Sequence, residues 1–377
     1  MTDTPSNKYH QPTEQEWKEK LEQAQREFKL PRPNILICGY TGSGKTSLIK
    51  AILGDVVPEN AIGTGMPQTQ GFDFYENNLV RVYDSKGMEN GETEEAFMSV
   101  VKDFIHQHQM DDPTKIDDHI HLVWYTIQGT GARVTDCDKK LIREIFTPKN
   151  LVVCITKADG MRENQKEAMK QAVLEAGVPA ERIIFTTDEE GGSVGCQELM
   201  ELSLKMLPNA YKDAFVEAQK VDKELKIKLV YQKSTKAKAI ISAASAAAAG
   251  IGFVPIPGSD APLLVADQTT MIASLAALYG IGYDAVKVGM LPFLAKVAGT
   301  TLASSLLKAI PGIGTIAGGA ITATIAATLT GAMGMYVKNY FEKCAIAKIN
   351  GEPLPEVPWN AELFAQYYKE YKANTNK

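Results

Sequence analysis

A surplus of basic residues is the first thing missing from this 377-residue chain: 40 Lys and Arg stand against 45 Asp and Glu, a formal net charge of −5. With no excess cation to neutralise a phosphate backbone, general nucleic-acid binding is not expected. Cysteine is sparse too. Cys38, Cys137, Cys154, Cys196 and Cys344 are scattered, odd in number and never spaced as Cys-x-x-Cys, which excludes a paired-cysteine zinc site and a disulfide framework. The first twelve residues lack the basic-then-apolar pattern of a secretory signal, so the expected location is the cytoplasm or the cytoplasmic face of a membrane. Charge itself disappears from Ala239 to Pro257 and from Ala309 to Val337.

What is present divides the chain. Its length exceeds one ordinary core. Residues 13–28 carry Trp17, Leu21, Ala24 and Phe28 at helical spacing behind a capping box of Thr13 and Glu16. The apolar run Asn34–Cys38 then opens an alternation of short apolar strands and amphipathic helices. Phe72 to Tyr83 reads as a hairpin about Glu76-Asn77-Asn78, and further strands are expected at 120–127, 151–156 and 183–185. That order predicts an α/β domain with a doubly wound sheet over residues 34–207. A single connecting helix is expected at 208–236, and an all-α, Ala- and Gly-rich domain at 237–345, divided by Pro255, Pro257, Pro292 and Pro311. An N-terminal helical extension at 1–33 and a tail helix at 346–377 complete the expected organisation.

The motifs carry the chemistry. Gly39-Tyr40-Thr41-Gly42-Ser43-Gly44-Lys45-Thr46, between a strand and the helix starting at Ser47, fits the P-loop pattern G-x-x-x-x-G-K-[ST]. Its glycines let backbone N–H groups curl round a phosphate at the positive end of the next helix. Lys45 is expected to neutralise β- and γ-phosphate oxygens, and the Thr46 hydroxyl to hold Mg²⁺. Thr156-Lys157-Ala158-Asp159 fits the guanine-reading pattern [NT]-K-x-D, in which Asp159 accepts from guanine N1–H and the 2-amino group. At about 1.5–3 kcal/mol for each charged hydrogen bond, losing both discriminates against adenine by roughly 10² to 10⁴. Lys157 is expected to lie along the base.

Asp84-Ser85-Lys86-Gly87 fits D-x-x-G, with Asp84 on a Mg²⁺-bound water and the Gly87 N–H on the γ-phosphate. Thr69, with Thr64 as alternate, is the expected threonine closing over the metal, and Thr186-Thr187-Asp188 the base-side loop. Lys45, Thr69 and Gly87 are thus the candidate catalytic residues, and GTP or GDP with Mg²⁺ the expected ligands. The histidines His106, His108, His119 and His121 occur as two i, i+2 pairs, and no cysteine or glutamate pattern completes a metal site around them.

These four motifs in this order resemble the translation-factor-related class of P-loop GTPases. The P-loop is similar to that of immunity-related and septin-like GTPases, the whole domain looks Era-like, and Ile120-His121-Leu-Val-Trp124-Tyr125 is similar to a septin-like strand. Pro255-Ile-Pro257-Gly-Ser-Asp260, Asp267-Gln268 and Tyr279-Gly280 resemble the YcjF-like hydrophobic domain of unknown function. The resemblance implies a GTPase. Met88 stands where many small GTPases place a water-orienting Gln, and Gly42 where some Era-like relatives use an Asn to hold K⁺. Slow intrinsic hydrolysis is therefore expected, accelerated by a partner or by a homodimer across the nucleotide face, with Arg133 as a candidate charge-stabilising arginine.

For the apolar block two readings stay open. Ala309–Val337 exceeds the ~20 residues a membrane span requires, and Gly314 and Gly318 permit close helix packing in lipid or in a soluble bundle. Asp260, Asp267, Asp284, Lys287 and Lys296 interrupt the rest of the block, and such charges are expensive in hydrocarbon. A nucleotide switch acting on a membrane-associated helical domain leads; a GTP-driven membrane-remodelling or pore-forming assembly and a ribosome- or RNA-associated factor are its rivals.

Overall fold

The computed structural model describes residues 13–56, 72–87, 93–108, 118–146, 150–187, 194–251, 260–289, 323–356 and 361–375. The chain forms two compact units: one takes in Leu30–Leu225, and the other joins the segment up to Lys29 to the chain from Lys226 onward.

The first unit is built on six strands, β1 (Asn34–Gly39), β2 (Phe72–Glu76), β3 (Arg81–Ser85), β4 (Leu122–Gln128), β5 (Leu151–Thr156) and β6 (Ile183–Phe185), in the order β2-β3-β1-β4-β5-β6. Only β2 runs antiparallel, paired with β3 through a turn in which the Asn77 side chain accepts from the N–H groups of Leu79 and Val80. Every residue of β1 and β5 is buried, as parallel strands covered on both faces must be. Helices α2 (Lys45–Leu53), α6 (Cys196–Met206) and α7 (Asn209–Ala218) close one face, through Leu48, Ile49, Leu199 and Phe215. Helices α3 (Glu94–Gln107), α4 (Asp136–Lys140) and α5 (Glu163–Glu175) close the other, through Phe97, Val101, Cys137 and Val173. Directly after α4 the chain changes character, and Leu141–Ile145 adopts a π-helical turn.

The second unit contains α1 (Glu14–Glu27), most of α8 (Lys223–Gln232), α9 (Ser234–Ile251), α10 (Asp260–Tyr279), α11 (Tyr283–Gly289), α12 (Ala323–Asn350) and α13 (Ala361–Thr375). The small residues of α12 are what allow it to be enclosed. A Cβ on Gly334 would meet Ile241 and Met271 at 2.8 and 2.9 Å, and one on Gly331 would run into the Tyr371 ring. None of the described helices is long and apolar enough to cross a membrane.

Three boundaries differ from expectation. The N-terminal helix is not a separate extension: Trp17 and Leu21 lie in one core with Ile272, Leu275 and Phe341, and the capping box of Thr13 and Glu16 forms as read. The tail helix α13 likewise belongs to that core through Phe364 and Tyr368. The single connecting helix at 208–236 is interrupted at 219–222, where the buried Gln219 side chain bonds the backbone N–H and C=O of Asp222 while Asp222 Oδ1 accepts from the Leu225 N–H. Side-chain bonds to backbone of this kind compete with helical ones. The interruption leaves α7 packed on the sheet. Pro255, Pro257, Pro292, Pro311, Gly314 and Gly318 lie outside the described residues.

Candidate functional site

Along one edge of the sheet, the loops that follow β1, β3, β4 and β5 converge. The loop Tyr40–Gly44 leaves β1 and enters α2, with Gly42 at φ 79° and Gly44 at φ 85°. Both values favour glycine. Lys45 is buried, and its ammonium donates to the carbonyls of Gly39 at 3.0 Å and Tyr40 at 3.1 Å. Burial lowers its pKa, and Asp84 opposes that shift. Thr46 donates its hydroxyl to Asp84 Oδ2 at 2.9 Å. Burial raises the Asp84 carboxyl to about 6, against the pull of Lys45 and of the Thr46 hydrogen bond, with Asp73 adding to the rise.

Gly87 completes this corner. It sits at φ 77°, and a Cβ there would lie 2.6 Å from the Thr41 nitrogen and 2.9 Å from Lys45 Nζ. The D-x-x-G glycine therefore rests directly on the P-loop, with no room for a side chain.

The expected base-reading turn is fastened to the same loop. Thr156 donates to the Ser43 carbonyl at 2.7 Å, and Lys157, held in the left-handed region at φ 54°, donates from Nζ to the Gly42 carbonyl at 3.0 Å. A non-glycine residue there is strained. Asp159 is exposed in the turn Ala158–Gly160. The Ala158 N–H donates to the Thr186 carbonyl at 3.0 Å, which brings the Thr186-Thr187 loop alongside. Gly44, Ser47, Thr156, Lys157, Thr186 and Thr187 line one cleft, so three separate stretches of sequence meet there. Thr64, Thr69, Met88 and Asp188 lie outside the described residues.

Several residues that motif reading passes over hold the P-loop. Thr126, fully buried on β4, shares a 2.7 Å hydrogen bond with the Ser43 hydroxyl and donates to the Cys38 carbonyl at 3.2 Å. Tyr40 reaches Thr135 through its hydroxyl at 3.2 Å, and Thr135 forms a capping box with Asp138, which also accepts from Tyr125 at 2.6 Å. The available signal was a threonine in an otherwise apolar strand. Arg133 is exposed and follows Ala132, which sits at φ 44°.

Residues 88–211 match the septin family, and residues 216–357 match a domain of unknown function, DUF697. Septin CDC11 of Candida albicans is 25% identical over 166 residues, covering 38% of this chain and 41% of that protein. Cell division control protein 11 of Encephalitozoon cuniculi is 23% identical over 164 residues, covering 38% and 58%. The chain thus spans about half the length of the curated relatives it matches. Toc33 of Arabidopsis thaliana, solved with Mg²⁺ and GMPPNP, overlaps 53% of this chain and 92% of its own at 12% identity, with a TM-score of 0.32. The stretch 88–211 is thus similar to septin GTPases and the stretch 216–357 to DUF697, which lies close to the expected YcjF-like domain.

Proposed function

We propose that the GTPase unit binds GTP and GDP with Mg²⁺, hydrolyses GTP slowly, and acts as a switch on the helical unit. The observation that carries this reading is the double attachment of the base-reading turn to the phosphate loop, Thr156 to Ser43 and Lys157 to Gly42. It sets the distance between a phosphate cradle and the Asp159 carboxylate. Backbone N–H groups at the start of α2 receive the phosphates, and Lys45, now on the Gly39 and Tyr40 carbonyls, turns toward them.

The donor set fits Mg²⁺. Asp84 Oδ1 is buried with no hydrogen-bond partner among the described residues, and the Thr46 hydroxyl is 2.9 Å from the other carboxylate oxygen. Both are hard oxygen ligands of the kind Mg²⁺ prefers. When bound, the ion neutralises charge between the β- and γ-phosphates; Thr46 would hold it directly and Asp84 through water.

The switch acts through α2. Its first residues carry Lys45 and Thr46, and near its other end the Ile52 carbonyl accepts from the Lys220 N–H at 2.9 Å. The segment at 219–222, which leads into α8, therefore rests on the helix that bears the phosphate ligands. Arg133, exposed on a strained loop, is the residue we assign to a partner's nucleotide in a homodimer.

Titration calorimetry of the full chain with GTP and ATP in Mg²⁺, wild type against Asp159→Ala, tests the nucleotide reading. GTP affinity is expected to fall by roughly 10² to 10⁴ in the variant, with weak ATP binding in both proteins. Equal affinities for both nucleotides, indifferent to Asp159, would sink it. Added liposomes that change GTP affinity would favour a membrane-associated helical unit.

A further inference from the structure

The pairing of β2 with β3 sets Asp73 directly opposite Asp84. Residues opposed in this way project to the same face, with Cβ atoms about 4.5–5.5 Å apart. That face is the one covered by α2. Val82, two residues before Asp84, shares a core with Leu48 and Ile49 of α2, and alternation along β3 puts Asp84 on the same side. The Thr46 hydroxyl on Asp84 Oδ2 confirms the placement.

The electrostatics of this pair are unfavourable as they stand. Asp84 is only 5% exposed, and its Oδ1 is buried with no hydrogen-bond partner among the described residues. Asp73 Oδ1 is likewise buried and without a partner among the described residues. Like charges directly opposed across two strands destabilise the pair, and a buried anionic oxygen with no donor costs more than the ~1–3 kcal/mol of a neutral one. Lys45 does not relieve Asp73 by hydrogen bonding, since the bonds its ammonium makes go to the Gly39 and Tyr40 carbonyls. A divalent cation beside Thr46 and Asp84 would relieve both carboxylates at once.

We infer that Asp73 is a second carboxylate of the Mg²⁺ site, a positioning residue that acts on the ion with Asp84 from outside its inner coordination shell. The inference rests on the proposed binding of guanine nucleotide with Mg²⁺, and it assigns a role that neither the P-loop nor the D-x-x-G motif contains. Outer-shell partners of metal ligands typically contribute about 10- to 100-fold in metal affinity. Their removal also changes the metal-free protein, in the opposite direction when the partner is a repelling charge.

The test uses the full chain with GDP, Mn²⁺ as paramagnetic probe, and thermal melting with and without the ion. Asp73→Asn is expected to weaken Mn²⁺ binding by about tenfold or more, while the metal-free variant melts no lower than wild type. Asp73→Glu, which keeps the charge, is expected to recover most of the affinity. Mn²⁺ binding by Asp73→Asn equal to wild type would overturn the inference and leave the nucleotide reading intact. Equal losses in the Asn and Glu variants would overturn it too, by assigning the effect to strand packing. If wild type with GDP takes up no Mn²⁺ while Asp159→Ala still abolishes GDP binding, metal use fails and this inference with it. If wild type binds no GDP at all, the underlying reading has failed.

Discussion

The two units of this molecule bury polar groups in different ways. In the first unit the buried hydroxyls of Thr126 and Thr156 end on main-chain carbonyls, those of Cys38 and Ser43, all at one edge of the sheet. Such bonds hold the path of a loop. In the helical unit several bonds run from the side chain of one helix to the side chain of another. Glu342 accepts from Tyr279, Asn339 donates to Tyr367, and Tyr371 to Ser245. These bonds link one helix to another. Bonds of the first kind position a loop, and those of the second match helices to each other.

A glycine substitution on each side of the comparison tests it, beginning with the larger effect. In Gly39→Ala the new Cβ would run into the Thr126 carbonyl and hydroxyl oxygens. The carbonyl belongs to a β4 residue paired in register with Gly39 itself, so neither strand can give way. Loss of measurable nucleotide binding is expected by calorimetry, with the helical unit's melting unchanged. Retained affinity would show that the loop is softer than its bonding suggests. Trp17→Ala attacks the other unit. Trp17 is 2% exposed, and truncating a buried aromatic costs about 3–5 kcal/mol. Denaturant unfolding should register that loss while GTP affinity stays within twofold of wild type. A large fall in affinity would show that the units depend on each other for folding.

The sequence disclosed the first unit more fully than the second for a physical reason. A phosphate cradle needs glycine at fixed offsets from a lysine and a hydroxyl, so Gly39 to Thr46 are readable one residue at a time, and Asp84, Gly87 and Asp159 follow from the same ligand. The residues that support them carry no such constraint. Thr126 and Asp73 are ordinary strand residues until β4 is seen beside β1 and β2 beside β3. In the helical unit, periodicity located α1, but amphipathicity identifies a face and not its partner. Trp17 and Leu21 fit an extension as well as they fit a core assembled from helices more than 200 residues away. The interruption at 219–222 was hidden because Gln219 and Asp222 break the helix by bonding locally, with no proline or glycine to mark it.

The matching glycine change in the helical unit should be milder. A Cβ on Gly331 meets the ring of Tyr371, a side chain near the end of the last helix, which can swing where a strand cannot. Overpacking of this kind costs about 1–3 kcal/mol, and hydrogen exchange should show α13 opening before the rest of the unit. Protection of α13 equal to wild type would mean that the helix shifts without loosening.

The smallest expected effect sharpens the comparison most, because it is confined to one helix end. Thr13 accepts from the Glu16 N–H at 3.2 Å, and Glu16 in return accepts from the Thr13 N–H at 2.6 Å. Replacing Thr13 with Ala removes the first bond and leaves the second, a loss of about 1 kcal/mol for a typical N-cap. If α1 is part of the helical core, that loss should appear as a lower unfolding midpoint of the whole unit, since α1 packs on α10 and α11 and places Trp17 and Leu21 in the shared core. If α1 is only a peripheral appendage, the same substitution should fray residues 14–17 in hydrogen exchange and leave the midpoint where it was.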